Sequence, residues 1–262
     1  MRILSWNIEN GGADRFEAQL EVLRATVPDV VVLQECLGWD DGHRLASVAA
    51  ALDIPPSAPH TFLAVANARG SGRRFHVGLV SRTGLHQRVT HTDGVAHVVA
   101  EAVVDLGTAP LALFGVHLVW SDEDARMLEV ERLMSWAEPV GLALLAGDLN
   151  ALTRADPYPS DVDERLRRAG IDKYGHPPRF DVTDRLRDAG WIDALQPAAE
   201  ARSQDPNAWV TARRKRGEEG AVVDARSDYV LVSPALWPRV ARAAVLDVGS
   251  ASDHQAIIVD IV

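Results

Sequence analysis

The sequence predicts an α/β protein in which two β-sheets pack face to face, with helices covering their outer faces. Two observations lead to this prediction. Apolar segments of strand length alternate with helical patterns at the start of the chain, and similar strands and helices return in its second half. Each half is too apolar to stand alone, and no linker-like composition divides the 262 residues. We therefore expect a single domain over residues 1–262.

Hydrophobic periodicity predicts the elements of the first half. Strands are expected at residues 2–8 and 29–34, and helices at 14–26 and 41–52. Turn residues separate four further strand-like stretches, which indicate an antiparallel run at residues 61–66, 75–81, 95–105 and 111–119.

A third helix is predicted to begin at Ser121, which can cap the free amides, with Asp124 at the capping-box position. Its expected apolar face consists of Met127, Leu128, Val130, Leu133, Met134 and Trp136. Residues 141–146 then return as a buried strand.

Residues 153–180 are the least regular stretch, because Pro157, Pro159, Pro177 and Pro178 interrupt it. We interpret this stretch as an insertion or lid. Residues 161–170 and 181–190 share one pattern, which predicts two short helices, each with an aspartate cap and a glycine stop. The last third predicts strands at residues 207–211, 228–233, 243–248 and 255–262.

Composition limits the class of protein. With 47% hydrophobic residues, the chain is typical of a globular domain, not of a disordered one. Its apolar runs are far shorter than the roughly 18 residues of a membrane helix, and its N-terminus lacks a secretory pattern, so we expect a cytoplasmic protein without a membrane span. The one cysteine, Cys36, excludes an intramolecular disulfide and a multi-cysteine metal site.

The net charge is −10, from 37 acidic and 27 basic side chains. Such a surface does not attract polyphosphate as a whole, so a phosphate-bearing partner would have to be captured locally. Nothing in the sequence indicates an obligate protein partner.

Polar side chains recur at the ends of apolar strands or within them. Six segments carry such groups. Three of them carry a pair, namely Asn7 with Glu9, Asp148 with Asn150, and Asp253 with His254, and the other three carry Glu35, His117 and Asp228. Burying so many polar groups is costly unless they bind one another or a cation. Oxygen donors without cysteine favour Mg²⁺ or Mn²⁺ over a structural zinc ion. Since magnesium takes only one or two protein carboxylates, the other acids remain available for handling protons and phosphate.

The motifs around these residues resemble those of the endonuclease/exonuclease/phosphatase superfamily, and they occur in the family's order. They are Ser5-Trp6-Asn7-Ile8-Glu9, Leu33-Gln34-Glu35, Gly78-Leu79-Val80-Ser81-Arg82, Gly115-Val116-His117-Leu118, Gly147-Asp148-Leu149-Asn150, Ser227-Asp228-Tyr229 and Ser252-Asp253-His254. The resemblance implies a four-layered α/β/β/α sandwich of two mixed sheets. It also implies an Mg²⁺-dependent phosphoesterase, with Mn²⁺ as a substitute, that hydrolyses a phosphodiester by in-line attack of water.

The resemblance also implies a role for each motif residue. Glu35, Asn7 and Asp253 resemble metal ligands, and Glu9 stands where many members carry aspartate, so its role in metal binding stays open. The residues that resemble the catalytic group are His117, Asp148, Asn150, Asp228 and His254. Asp228 would orient the ring of His254, and either Asp148 or this pair would activate the water.

The substrate is less constrained than the chemistry. Two basic clusters, represented by Arg73 with Arg74 and by Arg213 with Arg214, are candidates for a phosphate-binding rim, and Trp209 beside the second could stack on a base. Solvated charge runs explain these clusters equally well. Three hypotheses therefore remain: a nuclease or phosphodiesterase, a small-molecule phosphomonoesterase whose lid is residues 153–180, and a non-catalytic phosphate-binding module.

Overall fold

A computed structural model describes residues 1–67, 72–195, 205–216 and 221–262, with side chains for all of these except residues 206, 213–216, 221 and 222. The described strands form two six-stranded sheets and one hairpin. The first sheet contains, from edge to edge, β13 (Val240–Leu246), β14 (Ala256–Ile261), β1 (Arg2–Asn7), β2 (Val30–Gln34), β4 (Val77–Ser81) and β3 (Thr61–Ala64). Strands β1 and β2 run parallel, and β1 pairs antiparallel with β14.

The second sheet is also mixed. It contains, in order, β5 (His86–His91), β6 (Val99–Asp105), β7 (Pro110–His117), β8 (Ala143–Asp148), β12 (Asp228–Val232) and β9 (Ile192–Asp193). Strands β7 and β8 run parallel, whereas β8 and β12 run antiparallel. Strands β5 and β9 were not predicted, because β5 is largely exposed and polar and β9 has only two residues.

The central strands are buried on both faces. In β2, Val30 and Val32 join the apolar cluster between the two sheets, whereas Val31 and Leu33 join the cluster under the helices. This arrangement explains why the strand is a continuous apolar run without polar alternation. Cys36 is fully buried in the same outer cluster, as its apolar neighbours predict.

Helices cover both outer faces. The first sheet packs against α1 (Phe16–Thr26) and α2 (His43–Ala51), and the second packs against α3 (Glu123–Met134) and α5 (Asp181–Asp188). The predicted α/β/β/α sandwich is therefore confirmed. No helix among the described residues is long and apolar enough to cross a membrane.

Helix α3 begins one residue later than its predicted cap. Its N-cap is Asp122, whose carboxylate accepts a hydrogen bond from the Ala125 N–H at 2.8 Å, so the prediction of Ser121 as the cap was wrong. An aspartate at this position also stabilises the positive end of the helix dipole.

The buried face of α3 also differs from its prediction. Leu128 is 74% exposed, whereas Arg126 and Glu129 are buried. These two charged residues face inward because they bind loop backbone: Glu129 accepts a hydrogen bond from the Val119 N–H, and Arg126 donates one to the Lys173 carbonyl oxygen. Apolar periodicity cannot reveal a charged residue that is buried for such a purpose.

A fourth apolar cluster lies apart from the sandwich. It joins the predicted insertion, which contains α4 (Val162–Arg168), to the hairpin of β10 (Ala212–Arg216) and β11 (Ala221–Ala225). Its buried members are Leu152, Leu166, Ala169, Ile171, Tyr174, Val223 and Ala225. Residues 153–180 are therefore anchored by a small core of their own.

Three local predictions are corrected in this region. Residues 206–208 form a short 3-10 turn, not a strand, because the Asp205 carboxylate accepts a hydrogen bond from the Asn207 N–H. Helices α4 and α5 lack the predicted side-chain caps, since the Asp161 and Asp181 carboxylates pair with arginines instead. The glycine stops are confirmed, because Gly170 and Gly190 follow the helices with φ of 61° and 101°.

Candidate active site

The strand ends bring the predicted polar residues together at one edge of the sandwich. In the second sheet, Asp148 at the end of β8 is in register with His117 on one side and with Asp228 on the other. In the first sheet, Asn7 ends β1 beside Gln34, and Glu35 follows directly. The Asn7 side chain bridges the two sheets, because its Nδ2 donates to Glu35 Oε1 and to Asp148 Oδ2, both at 3.1 Å.

Two aspartates flank the buried imidazole of His254. Its Nδ1 lies 2.8 Å from Asp228 Oδ2, and its Nε2 faces Asp148 Oδ2 at 3.9 Å. Each of these side chains is at most 2% exposed. Burial alone would lower the pKa of His254. The neighbouring carboxylates, of which Asp228 has the largest effect, instead raise it to about 9. Burial also raises the pKa of Asp228 from its ordinary value.

His117 approaches the same carboxylate from the opposite side. Its Nε2 lies 3.8 Å from Asp148 Oδ2, and its ring stacks on His97 with centroids 4.5 Å apart. Burial lowers the pKa of His117 to about 4, so this ring is neutral at neutral pH. Burial raises the pKa of Asp148, but the nearby cations outweigh this effect and hold the pKa below its ordinary value. His254 contributes most to this lowering.

Glu9 and Asp253 lie at the rim of this group. The Glu9 carboxylate forms an ion pair with Arg15 at 2.6 Å and accepts a hydrogen bond from the Asp253 N–H at 3.2 Å. Glu9 thus joins the end of β1 to the loop that carries Asp253 and His254.

Three of the site residues have backbone conformations that are unusual for residues with a side chain. Glu9, Glu35 and Asn150 have φ of 51°, 60° and 50°, all positive. Backbone strain of this kind is concentrated at functional sites, where it directs a side chain. Next to Asp148, Gly147 has a φ of 151°, and a Cβ atom there would overlap the carbonyl oxygen of Val116.

The donor atoms fit a hard divalent cation. Glu35 and Asp148 present carboxylates toward the Asn7 Nδ2, and carboxylate oxygens are ligands that Mg²⁺ and Mn²⁺ prefer. The Asn7 Oδ1 accepts a hydrogen bond from the Glu9 N–H at 3.0 Å. Donor atoms of Asp148, Asp228 and His254 also lie within 4.8 Å of one another, close enough to hold a metal ion. In that second group, however, Asp228 and His254 already bind each other.

A pocket of about 560 Å³ opens beside these residues. One wall carries Glu35, His117, Asp148 and Asn150, and the opposite wall is the turn at residues 170–174 of the insertion. Lys173 in this turn donates a hydrogen bond from Nζ to Asn150 Oδ1 at 2.8 Å. Aromatic side chains complete the lining, including Phe75, Tyr174 and Trp120, which is 66% exposed.

The predicted substrate-binding residues are dispersed. Arg73 lines the pocket, whereas Arg74 forms an ion pair with Asp40 at 2.5 Å. Trp209 is only 5% exposed and packs edge-on against Tyr158, so it does not present an open ring face to a base. The side chains of Arg213 and Arg214 lie outside the described residues.

Sequence reasoning missed three residues at the site. Lys173 and His97 lie next to Asn150 and His117, and Thr211 accepts hydrogen bonds from the Asp228 N–H at 3.1 Å and the neighbouring Ser227 N–H at 3.0 Å. One signal for Lys173 was available. It is one of two lysines in a chain with 27 basic residues, and it lies in the predicted lid.

The chain belongs to the endonuclease/exonuclease/phosphatase family, whose model matches residues 4–254. The family consists of metal-dependent phosphoesterases, and the chain is accordingly a hydrolase that acts on ester bonds. No individually curated protein sequence matches it.

Solved structures agree with this fold. An endonuclease/exonuclease/phosphatase from Beutenbergia cavernae has a TM-score of 0.67 at 20% identity, and the match covers 99% of this chain and 70% of that one. An AP endonuclease from Archaeoglobus fulgidus has a TM-score of 0.68 at 13% identity, covering 100% and 99% of the two chains. A 3′ phosphatase from Neisseria bound to a product DNA hairpin has a TM-score of 0.68 at 19% identity, with the same coverage.

Proposed function

We propose that this chain is an Mg²⁺-dependent phosphodiesterase or nuclease that cleaves its substrate by in-line attack of water. The observation that carries this proposal is the buried array of Asp228, His254 and Asp148, with His117 on the far side of Asp148. Both imidazole Nε2 atoms face one carboxylate oxygen from just beyond hydrogen-bond distance. This spacing suits a water molecule that donates to the carboxylate and accepts from an imidazole.

Asn7, Glu35 and Asp253 would hold the metal, for which Mn²⁺ is the expected substitute, and Glu9 would orient this group through the Asp253 backbone. When bound, the cation supplies positive charge to the phosphoryl and leaving oxygens. The carboxylates that do not bind it remain available for proton transfer.

The protein's own residues provide proton transfer and stabilise the developing charge. Asp148 is better suited than the pair of Asp228 and His254 to take the proton of the attacking water, because His254, with a pKa of about 9, is already protonated at neutral pH. His117 faces the negative charge that develops on the phosphoryl oxygens, and Asn150 lies beside it in the same pocket wall. The buried surroundings strengthen each of these interactions, because the local dielectric is low.

A phosphomonoesterase acting on a compact substrate is the second candidate. The pocket favours it, because the 170–174 turn closes one side and aromatic rings line the space. A volume of about 560 Å³ accommodates a small organic phosphate rather than a duplex. The net charge of −10 also favours a compact substrate, because it disfavours electrostatic binding of nucleic acid over a broad surface.

An activity panel separates the candidates. We would assay plasmid DNA, single-stranded DNA, RNA, bis-p-nitrophenyl phosphate and p-nitrophenyl phosphate, each with Mg²⁺, Mn²⁺ or EDTA. Metal-dependent cleavage of diesters supports the first proposal, and cleavage of monoesters alone refutes it in favour of the second. Phosphate binding without turnover on any substrate would favour a non-catalytic binding module.

Variants then connect activity to the array. Asp148→Asn and His254→Ala should each lower kcat by about a hundredfold or more while the protein still folds, as shown by a cooperative thermal transition. His86→Ala is the matched control, because His86 is exposed on the edge strand β5. Near wild-type turnover in either site variant would refute the proposed chemistry.

A further inference from the structure

The side-chain amide of Asn150 is engaged at both ends by the protein itself. Its Nδ2 donates to the Leu118 carbonyl oxygen at 2.9 Å, and its Oδ1 accepts from Lys173 Nζ at 2.8 Å. Exchanging the two ends would place NH₂ against the ammonium and oxygen against a carbonyl, two repulsive contacts. The orientation is therefore fixed by its neighbours.

This orientation changes what Asn150 can do for an anion. An amide oxygen cannot donate a hydrogen bond to a phosphoryl oxygen, and one of the two amide N–H groups already donates to the Leu118 carbonyl oxygen, so Asn150 has at most one uncharged N–H left for an anion. The ammonium held on Asn150 has three N–H groups, of which this hydrogen bond uses one. At this point of the pocket wall, Lys173 is therefore the group suited to bind phosphate.

Buried side chains of α3 hold the backbone of Lys173 in place. The carbonyl oxygen of Lys173 accepts a hydrogen bond from Arg126, which is fully buried and forms an ion pair with Glu123 at 2.8 Å. The Glu123 carboxylate also accepts a hydrogen bond from the Val182 N–H at 3.1 Å, at the start of α5. A buried ion pair of this kind is expensive to desolvate, so its position under a pocket turn indicates a requirement for precise placement.

The residue type agrees with that role. Twenty-seven side chains are Lys or Arg, and lysine occurs at only two positions, 173 and 215. Lysine provides a compact charge on a flexible stem, whereas arginine requires room for its planar fork. Its ammonium also lies 4.9 Å from the centre of the Tyr174 ring, which places a second favourable contact at the same wall.

We propose that Lys173 binds a phosphoryl oxygen of the substrate and that Asn150 acts through it as a positioning residue. The proposal rests on the phosphoesterase function and assigns to residues 153–180 the cation that contacts the substrate. Residues 153–180 would then bind phosphate as well as form one wall of the pocket.

The first experiment measures binding of inorganic phosphate by calorimetry in the presence of Mg²⁺. Lys173→Met should weaken binding by roughly tenfold to a hundredfold, the effect of removing one hydrogen bond to a charged group. Arg168→Met removes the same charge from the exposed end of α4 and should change the affinity by less than about twofold. Lys173→Arg should restore part of the affinity.

A double-mutant cycle tests the positioning role of Asn150. Asn150→Ala should weaken phosphate binding in the wild-type background, and it should add little in the Lys173→Met background. A role of Asn150 independent of Lys173 would instead give additive losses, which would overturn the positioning assignment. Thermal melts of all variants exclude global unfolding as the cause.

The outcomes separate this inference from the proposed function. Phosphate affinity in Lys173→Met within about twofold of wild type would overturn the inference, as would absence of phosphate binding by the wild type. Loss of phosphate binding in Lys173→Met, in a protein that hydrolyses no ester, would retain the inference and refute the proposed function. Hydrolysis by the wild type, together with unchanged phosphate binding in Lys173→Met, would refute the inference and retain the proposed function.

Discussion

Replacing Asp228 by asparagine should uncouple His254 from the carboxylate that holds it. The side chain keeps its size, but the charge that faces Nδ1 at 2.8 Å is removed. Because Asp228 is the carboxylate that raises the pKa of the buried His254 most, its loss lowers that pKa, although Asp148 and Asp253 still oppose the effect of burial. We expect kcat to fall by about a hundredfold or more, since ring orientation and charge change together.

The structure also gives the size and sign of the effect on stability. Burial opposes charge on His254, yet the carboxylates raise its pKa from 6.5 to about 9. This difference corresponds to on the order of 3 kcal/mol in favour of the protonated ring in the folded state. Because the folded pKa is the higher one, the stabilisation is complete below pH 6.5 and is lost as the pH rises through about 9.

Urea unfolding in EDTA, from about pH 7 to about pH 9.5, measures this loss directly. The window lies above the titration of His117, whose pKa burial lowers to about 4. The free energy of unfolding should decrease more across the window in the wild type and in Asp14→Asn, an exposed control, than in Asp228→Asn, which keeps the smaller decrease caused by the buried Cys36 thiol. A wild-type slope retained in Asp228→Asn, together with near wild-type kcat, would refute the reasoning.

Three further predictions concern the fold around the site. Arg126→Met should lower the free energy of unfolding by about 3 to 5 kcal/mol in urea titrations, because it leaves Glu123 buried without its partner; a loss below about 1 kcal/mol would contradict this. Gly147→Ala should abolish the cooperative thermal transition or lower its midpoint strongly, since a Cβ overlaps Val116, and an unchanged melting curve would contradict that overlap. Asp122→Ala should lower the thermal midpoint more than Ser121→Ala, and the reverse order would restore Ser121 as the cap.

The fold was largely predictable because its strongest signals are local. Strands buried on both faces, such as β2 and β8, are continuous apolar runs, and their polar ends mark where the chain reaches the edge of the sandwich. Strand β5 was missed for the opposite reason, since it lies at a sheet edge and is mostly exposed. Its position depends on pairing with β6, which periodicity does not encode.

The catalytic side chains could be listed from motifs, but the groups that support them could not. Thr211 fixes the start of β12 through hydrogen bonds between segments 16 and 17 residues apart, and Lys173 meets Asn150 across 23 residues. These contacts depend on how the insertion and the β10–β11 hairpin fold against each other. Arg126 illustrates the same limit, because a buried arginine in an amphipathic helix has the sequence signature of an exposed one.

The fourth apolar cluster supports only part of the second wall of the pocket. The first wall consists of strand ends set by the sandwich, whereas Ile171 and Tyr174 pack in the small core shared with β11 and Lys173 is held by Arg126 of α3. This module is also tied to the site through the ion pair of Asp156 with Arg226 and through the bridge of Ala212 to His254. A chimera that exchanges residues 153–180 together with the hairpin therefore has to keep these contacts for His254 and Asp228 to stay in register.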